Sequence, residues 1–163
     1  MTYNPEIHDR RFPRLKNYDY SQPGTYFVTI CIQERKKMFG EVVEDAMYLS
    51  DIGEAAQYLW KDMPNRFTGV ELDLYVFMPN HFHGLVTFLD AVSHDAKPAR
   101  TLSQVVRTFK ALTSRYVHGA GVSEFRWQQK HWDSIIRDQK HLDTIRQYFV
   151  NNPAKWALDK LYL

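Results

Sequence analysis

Two histidines flank a single phenylalanine in the run Met78-Pro79-Asn80-His81-Phe82-His83-Gly84-Leu85-Val86. On a β-strand alternate side chains share a face, so His81 and His83 project together while Phe82 enters the opposite layer. They sit roughly 7 Å apart along the strand, and two imidazoles on one rigid face can hold a divalent metal. The plainer expectation for such a pair is a hydrogen-bonded couple at a strand end. A second chemistry-bearing group lies between Gln139 and Pro153. At 100° per residue, Leu142, Ile145 and Phe149 form a packing stripe, edged by His141, Tyr148 and Asn152. Tyr148 and Asn152 are one helical turn apart and therefore adjacent. With ten tyrosines in the chain, a single edge tyrosine is by itself a structural residue.

Taken together, the two groups describe a reaction. A phenol attacking a phosphodiester needs the phosphate made electrophilic and its growing negative charge neutralised. A divalent cation held by two imidazoles and an amide oxygen does this as a Lewis acid and keeps positions open for phosphate oxygens. A tyrosine one turn from the amide is placed near that phosphate. The covalent phosphotyrosine conserves bond energy, so a second strand end can be joined without ATP.

The elements that must position these residues are legible in outline. Thr25–Ile32 is a strand rich in β-branched and aromatic types, and Phe39–Val43 with Met47–Leu49 reads as a small hairpin. Asp51 and Glu54 resemble a capping box for a helix to about Met63. Strands at 70–78 and 81–88 are joined by the tight turn Pro79-Asn80. Residues 89–100 read as a loop. Thr101 and Gln104 cap a helix to about Val117, Asp133–Arg137 is a short strand, and a last helix spans 138–152, closed by Pro153. The order β-α-β-β-α-β predicts an α+β fold with a ferredoxin-like antiparallel core, an extra hairpin and a C-terminal helix carrying Tyr148. A chain of 163 residues is most simply one domain, residues 1–163, burying about two-thirds of its unfolded surface.

Charge is sorted along the chain. Residues 1–40 hold seven Lys/Arg against four Asp/Glu, 41–95 hold two against ten, and 96–140 hold nine against three. Such sorting produces one positive face for a phosphate-rich partner, unless folding intermixes the segments. Cys31 is the single cysteine, which excludes an intramolecular disulfide and any multi-cysteine zinc site. The polar N-terminus and the lack of a long apolar run predict a cytoplasmic protein with no membrane partner.

The combination resembles the REP-associated tyrosine transposases, within the single-tyrosine HUH transposases. It is carried by Lys16-Asn17-Tyr18-Asp19-Tyr20-Ser21-Gln22-Pro23-Gly24, Met78-Pro79-Asn80-His81-Phe82-His83-Gly84, Trp127-Gln128, Ile136-Arg137-Asp138 and Tyr148-x-x-Asn151-Asn152-Pro153. The resemblance implies His81 and His83 as metal ligands and Tyr148 as the nucleophile. It also implies Mg or Mn as cofactor and hairpin-bearing single-stranded DNA of repeat (REP/BIME-like) type as partner. The product would be a 5′-phosphotyrosine with a free 3′-hydroxyl. Asn152 stands where many relatives carry glutamine, and its neighbour Asn151 competes for third-ligand duty. Monomer and homodimer both stay open, because some relatives exchange the tyrosine helix between subunits.

Several basic and aromatic residues fit a DNA contact. Arg10, Arg11, Arg14 and Lys16 around Phe12 form either a solvated arm, within residues 1–23, or a segment in which arginines hold phosphates and Phe12 stacks on a base. Arg107, Lys110 and Arg115 share a helix as a solvated or DNA-backbone face. Arg126 and Trp127 mix phosphate and stacking partners, with Trp127 and Trp132 equally suited to the core. Tyr116 is the rival nucleophile but has no candidate ligand beside it. Two other functions compete: a non-catalytic single-stranded nucleic-acid binder of RNA-recognition-motif type, which shares the element order, and a small metal hydrolase, which would need a general base that is not evident.

Overall fold

The computed structural model describes residues 23–89 and 101–161. The candidate DNA-contacting residues Arg10, Arg11, Phe12, Arg14 and Lys16 lie outside the described residues. Among the described residues there are six strands: β1 Gly24–Cys31, β2 Gly40–Val43, β3 Ala46–Leu49, β4 Val70–Met78, β5 His81–Phe88 and β6 Trp132–Ile135. The longer helices are α1 Asp51–Lys61, α2 Leu102–Gly119 and α3 Gln139–Asn151, with a short turn of helix at Met63–Arg66 and a 3-10 segment at Pro153–Leu158.

The main sheet is antiparallel in the order β4-β5-β1-β6, and β2 pairs with β3 as a separate hairpin. This is the ferredoxin-like arrangement expected from the element order. The turn Pro79-Asn80 places β4 and β5 side by side with Met78 opposite His81. Capping of α2 follows expectation, with Thr101 and Gln104 exchanging reciprocal bonds. For α1 the cap is one residue earlier than expected: Ser50, not Asp51, accepts from Gly53 N and also donates to the Met38 carbonyl. Both residues can cap a helix, and the second bond of Ser50 decides between them.

The two sheet faces bury different things. Tyr26, Val28, Ile30, Phe82, Val86 and Phe88 point to one side and join Trp60 of α1 and Phe109 of α2 in the large core. Phe27 and Leu85 point to the other side, where Ile145 and Phe149 of α3 meet them in a smaller cluster. α3 thus covers part of this second face. Its anchor is a bulge in β4 between Leu72 and Tyr75. There Asp73 accepts a bidentate pair from Arg146 of α3, with Nε at 3.2 Å. Among the described residues no helix is long and apolar enough to cross a membrane.

Candidate active site

Cross-strand register explains how β5 presents its histidines. His83 lies opposite Thr29 and His81 opposite Cys31 on β1. Both imidazoles are buried under α3 and the C-terminal segment, at 2% exposure or less. His83 stacks between Phe27 and Phe149, at ring-centroid distances of 5.4 and 5.8 Å. That stacking and the Trp156 ring 5.9 Å from His81 turn the two rings towards one another. The ring nitrogens Nε2 come to 3.1 Å, far closer than the strand repeat alone would bring them.

Each imidazole is held from behind through its other nitrogen. Thr29 Oγ1 is 2.7 Å from His83 Nδ1, and Asn80 Oδ1 is 2.7 Å from His81 Nδ1. This is the arrangement that orients metal-ligating histidines. Asp159, beyond the 3-10 segment, brings Oδ2 to 3.7 Å from His81 Nε2. The ligand atoms of His81, His83 and Asp159 all lie within 4.8 Å of one another.

The donor set fits a divalent cation. The two Nε2 atoms lie 3.1 Å apart with a carboxylate close by, and imidazole nitrogens and carboxylate oxygens are common ligands of divalent metals. Asn152 adds an independent sign. It closes α3, is 3% exposed, and neither atom of its amide has a hydrogen-bond partner. A buried amide left so is costly, and a ligand would satisfy it. Asn151, its rival, is half-buried. One turn before Asn152, the Tyr148 hydroxyl is 3.3 Å from His83 Nε2.

No family model matches the chain. An uncharacterized protein of Haemophilus influenzae is 33% identical over 99% of this chain and 97% of its own length. A second protein of that organism, provisionally named a REP-associated tyrosine transposase, is 25% identical over 86% of the chain and 77% of its own length. The structure of a REP-associated tyrosine transposase bound to a REP hairpin superposes with a TM-score of 0.63 at 20% identity, covering 90% of this chain and 76% of the other. The chain is thus similar in sequence and in fold to REP-associated tyrosine transposases. A provisionally named transposase from Deinococcus radiodurans shares the fold at a TM-score of 0.52 and 16% identity, covering 85% of this chain and 95% of its own.

The remaining candidate residues are dispersed. Arg107 is exposed on α2. Lys110, expected on a solvated or DNA-backbone face, is instead half-buried. Its ammonium donates to the carbonyls of Gln128 and Gln129 at 2.6 and 3.2 Å, and burial holds its pKa below the usual lysine range. Trp127 is a core residue whose indole donates to the Lys110 carbonyl. Arg126 is exposed, but its guanidinium donates to the carbonyls of Ser123 and Phe125. Tyr116 is exposed on α2. Sequence reasoning missed Asp159 and Thr29. The second could have been found by aligning β1 against β5; the first follows an irregular segment with no periodicity to read.

Proposed function

We propose that this chain nicks and rejoins single-stranded DNA beside hairpins of the REP type, through a covalent bond between Tyr148 and the 5′ phosphate. The observation that carries the reading is the 3.3 Å approach of the Tyr148 hydroxyl to His83 Nε2, inside a buried group of potential metal ligands. His81, His83 and Asp159 would hold a divalent cation, and the buried, unpartnered amide of Asn152, one turn beyond Tyr148, offers a further oxygen donor. Imidazole ligands do not by themselves select the metal; the similarity to the transposases is what favours Mg or Mn. When bound, the cation would supply Lewis acidity to the scissile phosphate.

The protein's own part is positional. Phe149 and Ile145 seat α3 on the sheet, and the Arg146–Asp73 pair fixes its outer edge. The phenol oxygen then attacks phosphorus as the bond to the 3′ oxygen breaks. The phenolic proton is released to water, and the departing 3′ oxygen takes up a proton to become a hydroxyl. Reversal of the same step with another 3′-hydroxyl joins strands with no net bond energy spent. An RNA-recognition-motif mode of binding is disfavoured because it needs an open sheet face, whereas α3 packs on one face and the two helices behind the sheet on the other.

Incubation with hairpin-bearing single-stranded DNA and Mn should yield a protein–DNA adduct on a denaturing gel. Tyr148→Phe should abolish adduct and nick alike while retaining the parent's thermal midpoint and Mn affinity. An adduct surviving in that variant would move the nucleophile elsewhere, Tyr116 first.

A further inference from the structure

The C-terminal segment is joined to the histidine pair by a circuit of three hydrogen bonds and one longer carboxylate–imidazole approach of 3.7 Å. Asn80 Nδ2 donates to the Leu161 carbonyl at 2.6 Å, and Leu161 N donates to Asp159 Oδ1 at 2.8 Å. The other oxygen of Asp159 faces His81 Nε2, and His81 Nδ1 returns to Asn80 Oδ1. Asn80 and His81 are fully buried, and Leu161 is 1% exposed.

The chemistry of an amide makes this circuit directional. Only its NH2 can donate to a carbonyl, so the Leu161 carbonyl dictates which end of Asn80 turns towards His81. That end is the oxygen, an acceptor, which requires the His81 proton to sit on Nδ1. Nε2 is thereby left with its lone pair aimed at His83 and Asp159. The backbone N–H of the same residue, Leu161, also fixes the Asp159 carboxylate by donating to one of its oxygens.

We infer that Asn80 is a positioning residue that sets the His81 tautomer and recruits Asp159 together, making the 159–161 segment part of the metal centre. This rests on the metal reading of the site given above. Thr29 serves His83 from the other side and takes no part in the circuit.

The test is Mn binding to the full chain, by calorimetry and by the Mn electron paramagnetic resonance signal, in a double-substitution cycle. Asn80→Asp keeps an acceptor for His81 Nδ1 but turns a carboxylate on the Leu161 carbonyl and expels the segment. It should weaken Mn binding about tenfold or more, the usual cost of losing such a partner. Asp159→Asn should weaken it as well. Combined, the two should lose little beyond Asp159→Asn alone, because both break one unit. Thr29→Val should add its loss in full to that of Asp159→Asn.

Independent, additive effects of Asn80→Asp and Asp159→Asn would overturn the inference, as would an unchanged Mn affinity in Asn80→Asp. Should Asn80→Asp fail to fold by circular dichroism, Leu161→Pro removes the Asp159 anchor from the other side and should show the same non-additivity. A parent protein that binds no Mn would sink the metal reading itself, a result distinct from additive losses in a protein that binds it.

Discussion

The two faces of the sheet obey different rules. Behind it, apolar side chains of β1, β4 and β5 meet α1 and α2 in one aromatic-rich core. In front, four buried apolar residues form a small cluster, and beside it lie the buried, linked polar residues Thr29, Asn80, His81 and His83. Apolar burial stabilises in proportion to area, whereas buried polar groups cost stability unless partnered. The back face therefore carries most of the apolar burial, and the front face carries the candidate site. Stability and activity should be separable by choosing the face.

The sharpest contrast is between neighbours in sequence. Phe82→Ala empties a fully buried site on the back face and should cost about 3–5 kcal/mol in urea denaturation. His81→Ala, one residue away on the front, should abolish Mn-dependent nicking while shifting the urea midpoint far less. Equal shifts would erase the distinction between the faces.

Gly84→Ala probes where they communicate. A Cβ there would lie 2.7 Å from Phe82 Cζ and 2.9 Å from Trp60 Cζ2. Overpacking of this kind costs about 1–3 kcal/mol. Because β5 must shift to relieve it, Mn affinity should also fall through the adjoining His83. Lost stability with unchanged Mn affinity would mean that the faces are mechanically independent.

The smallest effect concerns the clamp on α3. The hydrogen bonds from Arg146 hold the Asp73 carboxyl below its usual pKa. A carboxyl depressed in the folded state stabilises it above the unfolded pKa of about 3.9 and loses that contribution as pH falls through the folded value. Asp73→Asn should cost about 0.2–1 kcal/mol at neutral pH, as for other solvent-screened pairs. Urea melts of variant and parent should converge below pH of about 4. A constant gap across that range would assign the effect to packing.

What the sequence made legible follows from where the physics is local. The bounds of β4 and β5 match their sequence reading at 70–78 and 81–88, because β-branched and aromatic runs end sharply at Pro79-Asn80. The stripe of Leu142, Ile145 and Phe149 does face the sheet, since helical periodicity needs no tertiary knowledge. Lys110 was unreadable for the opposite reason: residues 128 and 129 return over α2 and capture its ammonium. Asp159 sits after a proline-initiated irregular turn, and its approach to His81 depends on a main-chain link to Asn80. No pattern in either segment announces that meeting.

Trp60 has one more consequence. It rests on the bare backbone at Gly84 and is boxed by Phe82 and Phe109 at 4.6 and 5.1 Å. The strand bearing the histidines is thus backed like metal on an anvil, and a push from the front meets rings with no room to recoil. Under the proposed mechanism, the compliance needed to exchange one strand end for another would reside in α3, whose outer edge is held by a clamp that water can reach.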